Sequence, residues 1–309
     1  MYLFNKLFIT SYVAILICVF AFLLKRKLII ICDNYGRLGN RLHLFAQMII
    51  FSKTNNYIIW MPGFNEYNEY FQNIKNKPLY GSKQYPIPRI FSSEQILNAL
   101  NRIYIIVSKI PKNFALTTLS FYKFDDGSPW ETIQKFDSKC TLFKGFVFQE
   151  YTLDNLIARN DITKMFTPKN TFNKEIIDPI SKLKIKNDYI CGVLIRQTDY
   201  RTWNNGKYFF TTEEYGKIIN NLNIHLQDLK VGYFIATDEE QPIDFLQNLD
   251  RIIRVGHPIQ NLYTLSHCDF LIGPPSSFIG WSSLYGRKHL FTIYDKDNTN
   301  YMKKIKSLL

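Results

Sequence analysis

Tyr189-Ile190-Cys191-Gly192-Val193-Leu194-Ile195-Arg196-Gln197-Thr198-Asp199-Tyr200 is the stretch on which the fold turns. Its first seven residues carry no charge, as a strand buried on both faces requires. The run stops at Arg196. An arginine there leaves the carboxyl end of a buried strand, the place where open α/β sheets bind ligands. Its planar guanidinium can hold a diphosphate with two parallel hydrogen bonds. Asp199, three residues on, can orient that arginine or meet a substrate, and a plain Arg–Asp pair is the structural alternative.

Downstream, short apolar runs alternate with helical patterns. Thr211 opens a helix, with Glu214 placed for a capping box. Strands are expected over 232–236, Arg251–Val255, 270–272 and 289–293, with helices over 262–267 and 276–284. This order predicts a doubly wound parallel sheet. Upstream, residues 28–32 (LIIIC) read as another buried strand. A break at 33–36 follows, then apolar residues at helical spacing: Leu38, Leu42, Phe45, Ala46, Ile49 and Ile50. Tyr57–Trp60 reads as a second strand. Residues 62–88 read as irregular, 93–109 as a helix, 125–130 as a turn, 141–148 as a strand and 153–159 as a helix. The expected fold class is α/β, with two Rossmann-like lobes facing a cleft. They cover residues 28–170 (acceptor side) and 171–309 (nucleotide-sugar donor side), with the boundary falling within 160–185.

Residues 7–24 (LFITSYVAILICVFAFLL) have no charge, proline or glycine. As a helix they would span about 27 Å, close to the hydrocarbon thickness of a bilayer. Residues 1–27 are therefore expected to be a single-pass membrane anchor. A cleaved signal peptide would be shorter and end in small residues, whereas Lys25, Arg26 and Lys27 follow here. A helix buried in the protein is the other reading of a segment apolar all round. The basic flank favours a cytoplasmic-facing domain, the alternative being a type II topology facing the Golgi lumen.

The net charge of +12 suits nucleic acid, an anionic membrane surface or a phosphorylated small substrate. The lysines are spread along the chain without basic runs interleaved with aromatics, which argues against nucleic acid. The five cysteines show no CxxC or Cys/His cluster, so they read as small buried hydrophobes. The five histidines show no metal-ligand spacing, and Asp295-Lys296-Asp297 reads as a solvated turn, so no metal is expected.

Three further motifs can contact a diphosphate sugar. Gly36-Arg37-Leu38-Gly39-Asn40-Arg41 is a glycine turn entering a helix. Its glycines admit a ligand to the backbone, and the helix start presents unpaired N–H groups. Gly36, Gly39 and Asn40 are the candidates there, a tight strand-to-helix turn being the plain reading. Asp238 ends the Tyr233-Phe234-Ile235-Ala236-Thr237 strand and can accept from a nucleoside, or serve as a helix cap. Ser276 and Ser277 follow Gly273-Pro274-Pro275 and open a helix, an anion site or ordinary capping.

These motifs, in this order, resemble the fucosyltransferase superfamily that includes alpha-1,2-fucosyltransferases and protein O-fucosyltransferases. GRLGNR here resembles GGLGNQ and GRFGN. LIRQTDY (194–200) resembles HxRRxDY, and PSSFIGW (275–281) resembles NSTFSWW. The family histidine stands here as Leu194 and its second arginine as Gln197. The first, expected on the nucleotide diphosphate, is Arg196. The resemblance implies a GT-B fold, GDP-fucose as donor, inversion at the anomeric carbon, no metal and no other cofactor. It makes the chain a membrane-anchored glycosyltransferase acting on a hydroxyl of a glycan or glycoconjugate. Arg196 and Asp199 are the catalytic candidates; Gly36, Gly39, Asn40, Arg196, Asp238, Ser276 and Ser277 are the donor-binding ones. Asp199, Glu66 and Glu69 are candidates for a general base. Another nucleotide sugar as donor, or a binder of nucleotide sugars or glycans without chemistry, are the alternatives.

Overall fold

The described residues form two five-stranded sheets, whose central strands carry the apolar runs LIII (28–31) and ICGVLI (190–195). The computed structural model describes residues 2–23, 27–74, 79–80, 92–109, 119–123, 138–145, 156–297 and 300–309. The chain divides into two units, Met1–Thr167 and Pro168–Leu309.

The N-terminal unit contains α1 (Tyr2–Leu23), β1 (Lys27–Ile31), α2 (Leu38–Asn55), β2 (Tyr57–Trp60), β3 (Leu79–Tyr80), α3 (Ser93–Ser108), β4 (Leu119–Lys123), β5 (Cys140–Lys144) and α4 (Leu156–Met165). Its sheet has the order β3-β2-β1-β5-β4 and is parallel except for β3. In the centre, Leu28, Ile29, Ile30 and Ile31 are all fully buried, as a strand covered on both faces demands. Ser92 and Gln95 close a reciprocal capping box that starts α3.

The expected membrane-spanning helix finds no support. Residues 2–23 are helical, but among the described residues no helix is long and apolar enough to cross a membrane. Instead α1 packs on α3, and its Val13 and Ile17 are buried in one core with Leu100 and Ile103. Arg102 Nη1 ties the two helices by donating to Lys6 O (3.1 Å) and Thr10 Oγ1 (3.3 Å). Val13 and Ile17 thus serve the chain's own core, while Leu7, Phe8 and Ile15 of the same helix stay exposed.

The C-terminal unit contains α5 (Asn173–Lys184), β6 (Tyr189–Ile195), α6 (Thr212–His225), β7 (Val231–Thr237), β8 (Arg251–Val255), α7 (Pro258–Ser266), β9 (Phe270–Gly273), α8 (Ser277–Gly286), β10 (His289–Thr292) and α9 (Asn300–Leu308). All five strands are parallel, in the order β10-β9-β6-β7-β8. The chain winds outward from β6 through β7 to β8, then returns to build β9 and β10 on the other side. The direction therefore reverses between β6 and β9. Alternate residues of β6 feed opposite cores. Cys191, Val193 and Ile195 pack with Tyr215, Ile219 and Leu222 of α6, while Ile190 and Leu194 pack with Leu183 of α5 and Ile279 of α8.

Several local expectations change. Residues 173–184, for which no element was expected, form α5, whose Ile176, Ile180 and Leu183 recur on one buried face. A 3-10 helix at Pro62–Tyr70 occupies part of the stretch read as irregular. The turn expected at 125–130 lies outside the described residues. Cys32, Cys140, Cys191 and Cys268 are buried and unbridged. Burial pushes the Cys32 thiol up to about 12, which makes it an inert hydrophobe at neutral pH.

Candidate functional site

The C-terminal unit carries five of the predicted residues, Arg196, Asp199, Asp238, Ser276 and Ser277, beyond the carboxyl ends of its strands. Register does this. Ile195 lies opposite Thr237, so Arg196 and Asp238 emerge side by side from β6 and β7. Val193 lies opposite Ile272, so the Ser276 turn leaves β9 on the other flank of β6. This is where the winding direction reverses, the crevice at which doubly wound sheets bind ligands.

Arg196 is largely buried. Its Nη2 donates to Asp199 Oδ1 at 2.5 Å, and its Nε lies 3.3 Å from Asp238 Oδ2. The second contact is an ion pair without hydrogen-bond alignment, and Nε–H is a buried donor with no acceptor. Such a donor is costly to leave unmade. The guanidinium also sits 5.4 Å from the Tyr200 ring centroid.

Asp238 holds the loop after β6 in place. Its Oδ1 accepts from Gln197 N at 2.8 Å and its Oδ2 from Thr198 Oγ1 at 2.7 Å. Its geometry is that of a positioning residue for Arg196. Tyr200, not singled out beforehand, joins LIRQTDY (194–200) to PSSFIGW (275–281). Its Oη donates to Pro275 O at 2.5 Å, just before the serines, and burial raises its pKa. Tyr215 Oη accepts from Arg196 N at 3.4 Å, and burial raises its pKa far above the usual tyrosine range. The tyrosine of the DY pair was the available signal for Tyr200; nothing local marked Tyr215.

Ser276 caps α8, its side chain accepting from Phe278 N at 3.2 Å. Ser277 is the first residue of that helix. The helix start thus presents backbone N–H groups and a positive dipole end.

The two departures from the family pattern face inward. Gln197 is buried: its Nε2 donates to Phe210 O (3.2 Å) and Thr212 Oγ1 (3.4 Å), and its Oε1 accepts from Gln241 Nε2 (2.8 Å). A neutral amide suits that position better than a charge would. Leu194 is packed in the core against Phe234, Leu271 and Ile279.

Gly36, Gly39 and Asn40 belong to the N-terminal unit. Gly36 is left-handed (φ 56°), and a Cβ there would stand 2.0 Å from Asn40 Nδ2. Glycine is required on both counts. Arg37 occupies the N-cap of α2 without a side-chain capping bond. Arg41 was missed although it ends the quoted motif. It is buried, and donates from Nε to Gly36 O (3.1 Å) and from Nη1 to Gly63 O (2.7 Å). It also pairs with Glu66, and burial lowers its pKa. Arg41 therefore braces the glycine turn. Glu66 is engaged there, and Glu69 is exposed on the same 3-10 helix.

At Asp295-Lys296-Asp297, Asp295 Oδ1 accepts from Asp297 N (3.0 Å) and Lys296 pairs with Glu214. Among the described residues there is no group of three or more His, Cys, Asp or Glu that could hold a metal.

No protein-family model and no curated protein matches the sequence. Solved structures match the fold. One is an Arabidopsis thaliana FUT1 mutant in complex with GDP, at a TM-score of 0.60 and 11% identity, covering 87% of this chain and 70% of that one. Another is the Bradyrhizobium NodZ alpha-1,6-fucosyltransferase soaked with GDP-fucose, at a TM-score of 0.50 and 14% identity, covering 84% and 93%. The α/β architecture with parallel sheets read from the sequence is thus the fold that these two structures share with this chain.

Proposed function

We propose that the chain is an inverting glycosyltransferase that moves fucose from GDP-fucose to a hydroxyl of a glycan or glycoconjugate, without a metal or other cofactor. The observation that carries this reading is Arg196 at the reversal point of the sheet, with a buried Nε–H that makes no aligned hydrogen bond although Asp238 Oδ2 lies 3.3 Å away. A diphosphate oxygen is the acceptor that such a donor lacks.

In this mechanism the acceptor hydroxyl attacks the anomeric carbon from the face opposite the diphosphate. The glycosidic C–O bond to phosphate breaks, and GDP departs with the bonding electrons. Arg196 and the N–H groups at the start of α8 meet the charge that develops on the leaving oxygen. Asp199 and Asp238 hold the guanidinium in orientation. The attacking hydroxyl gives up its proton to a general base. In the N-terminal unit, the start of α2 after Gly36 offers backbone N–H groups of the same kind.

Arg196→Ala removes the donor while leaving the strand intact. Transfer should fall by about 100-fold or more, a loss on the scale of one pre-organised donor to a leaving oxygen. GDP affinity measured by calorimetry should fall with it, and the circular dichroism should match wild type. A folded Arg196→Ala protein with near-wild-type turnover would sink this reading. Lysine should not rescue, because it has no fork to match two oxygens. A donor screen with mass detection of the transferred sugar tests fucose against other nucleotide sugars.

A further inference from the structure

A line of aromatic rings runs outward from Arg196 along the loop that follows β6. Tyr200, beside the guanidinium, has its ring centroid 4.9 Å from that of Trp203. Trp203 is 5.6 Å from Tyr208, and Tyr208 is 6.2 Å from Tyr294. The outer rings are not covered: Trp203 is 47% exposed and Tyr294 is 64% exposed. Tyr200 is buried and Tyr208 half-buried, so the row leaves the core at Tyr200 and is open at Trp203 and Tyr294. Large aromatics ordinarily fill cores, and rings left open in this way mark a surface for a ligand.

The row stands on a fixed base. Tyr200 is tied to Pro275 O, and both terminal nitrogens of Arg201 pair with the Glu239 carboxylate. Asn204 (φ 50°), Asn205 (φ 55°) and Gly206 (φ 73°) follow Trp203 in succession in the left-handed region. That conformation is reached readily only by glycine and by residues such as asparagine. It turns the chain back beneath Trp203, since a Cβ on Gly206 would lie only 3.1 Å from Arg201 O. The turn also leaves two exposed asparagines beside the exposed indole.

This combination matches one ligand chemistry. A pyranose ring has a C–H face that packs on an aromatic ring and a hydroxyl edge that bonds to amides. The row is also longer than one planar base needs, and its rings are tilted by 41°, 37° and 68° in turn. A flexible chain of sugar units follows such a path better than a single nucleobase does. We propose that Trp203, Tyr208 and Tyr294 form a binding shelf for the acceptor saccharide, leading its reactive end toward Arg196. This rests on the transferase reading for its role, while the binding itself is testable alone.

The full-length protein is titrated by calorimetry with chitotetraose, cellotetraose and N-acetyllactosamine, and separately with GDP. At least one saccharide should bind wild type, and Trp203→Ala should weaken it by about tenfold or more. Trp203→Tyr, which keeps a ring, should recover most of that loss. GDP affinity should stay within about twofold of wild type in both, a change too small to signal a lost contact. Tyr294→Ala, at the far exposed end, should weaken the saccharide in the same direction and covers the case in which Trp203→Ala fails to fold. Wild type binding none of the three, saccharide affinity untouched by both alanine variants, or a loss of GDP affinity in place of saccharide affinity would each overturn the shelf. The last result would make it a nucleobase platform. Saccharide binding that depends on Trp203, in a protein that does not bind GDP, would keep the shelf and remove the transferase reading.

Discussion

Arg196 is held by several neighbours, and they divide the work. Asp199 takes a terminal nitrogen, Asp238 faces Nε, and Tyr200 lies beside the guanidinium plane. Asp238 also holds Gln197 N and Thr198 Oγ1, so it shapes the loop as well as the charge. Asp238→Ala leaves those donors and a largely buried cation without their partner. It should cost about 1–3 kcal/mol in stability and weaken GDP binding together. Asp238→Asn retains one acceptor oxygen and should fall between alanine and wild type in a urea titration. Unchanged stability in the alanine variant would mean that the loop is held by other contacts. The residue after Arg196 teaches the complementary lesson. A glutamine in place of the family's second arginine looks in the sequence like a lost ligand contact. In the fold its amide is buried against Phe210 O and Gln241, so the change is one of core chemistry.

At the scale of elements, the strand ends carry the site and the helices fix where they open. Among those helices, α8 seats closely on α7. Gly286, at the end of α8, marks that closeness: a Cβ there would stand 2.1 Å from the Ser266 carbonyl oxygen, a backbone atom with little freedom to yield. Gly286→Ala should therefore lose about 1–3 kcal/mol, read as a lower urea midpoint, with the helix content retained. A neutral outcome would show that the two helices can part without cost. The capping boxes at Ser92/Gln95 and Thr211/Glu214 belong to this scale too. The Thr211 box was legible in the sequence because capping is set by residues three apart.

At the scale of the whole molecule, the N-terminal helix decides between two accounts of the first residues. As a free anchor, α1 would contribute nothing to the fold. As packed here, it covers Ile96, Leu100 and Ile103 of α3 with Val13 and Ile17. A chain beginning at Lys27 should therefore lose about 3 kcal/mol or more, the scale of two buried aliphatic side chains. An unchanged urea midpoint in the truncated chain would restore the anchor account. That case also marks the limit of what periodicity conveys. An apolar helix reads the same whether lipid or protein covers it, since composition is local and the covering surface is not. By itself the sequence determined the order of strands and helices from β6 to β10, the arginine at the end of β6, the glycine turn before α2 and the serines before α8. Each of these rests on residues a few positions apart. Only the tertiary structure decided that Ile195 pairs with Thr237, which sets Arg196 beside Asp238, and that Gln197 and Leu194 turn inward. It also decided that Tyr200, Trp203, Tyr208 and Tyr294 stand in one row. Register and packing join residues tens of positions apart, and no local pattern specifies those partners.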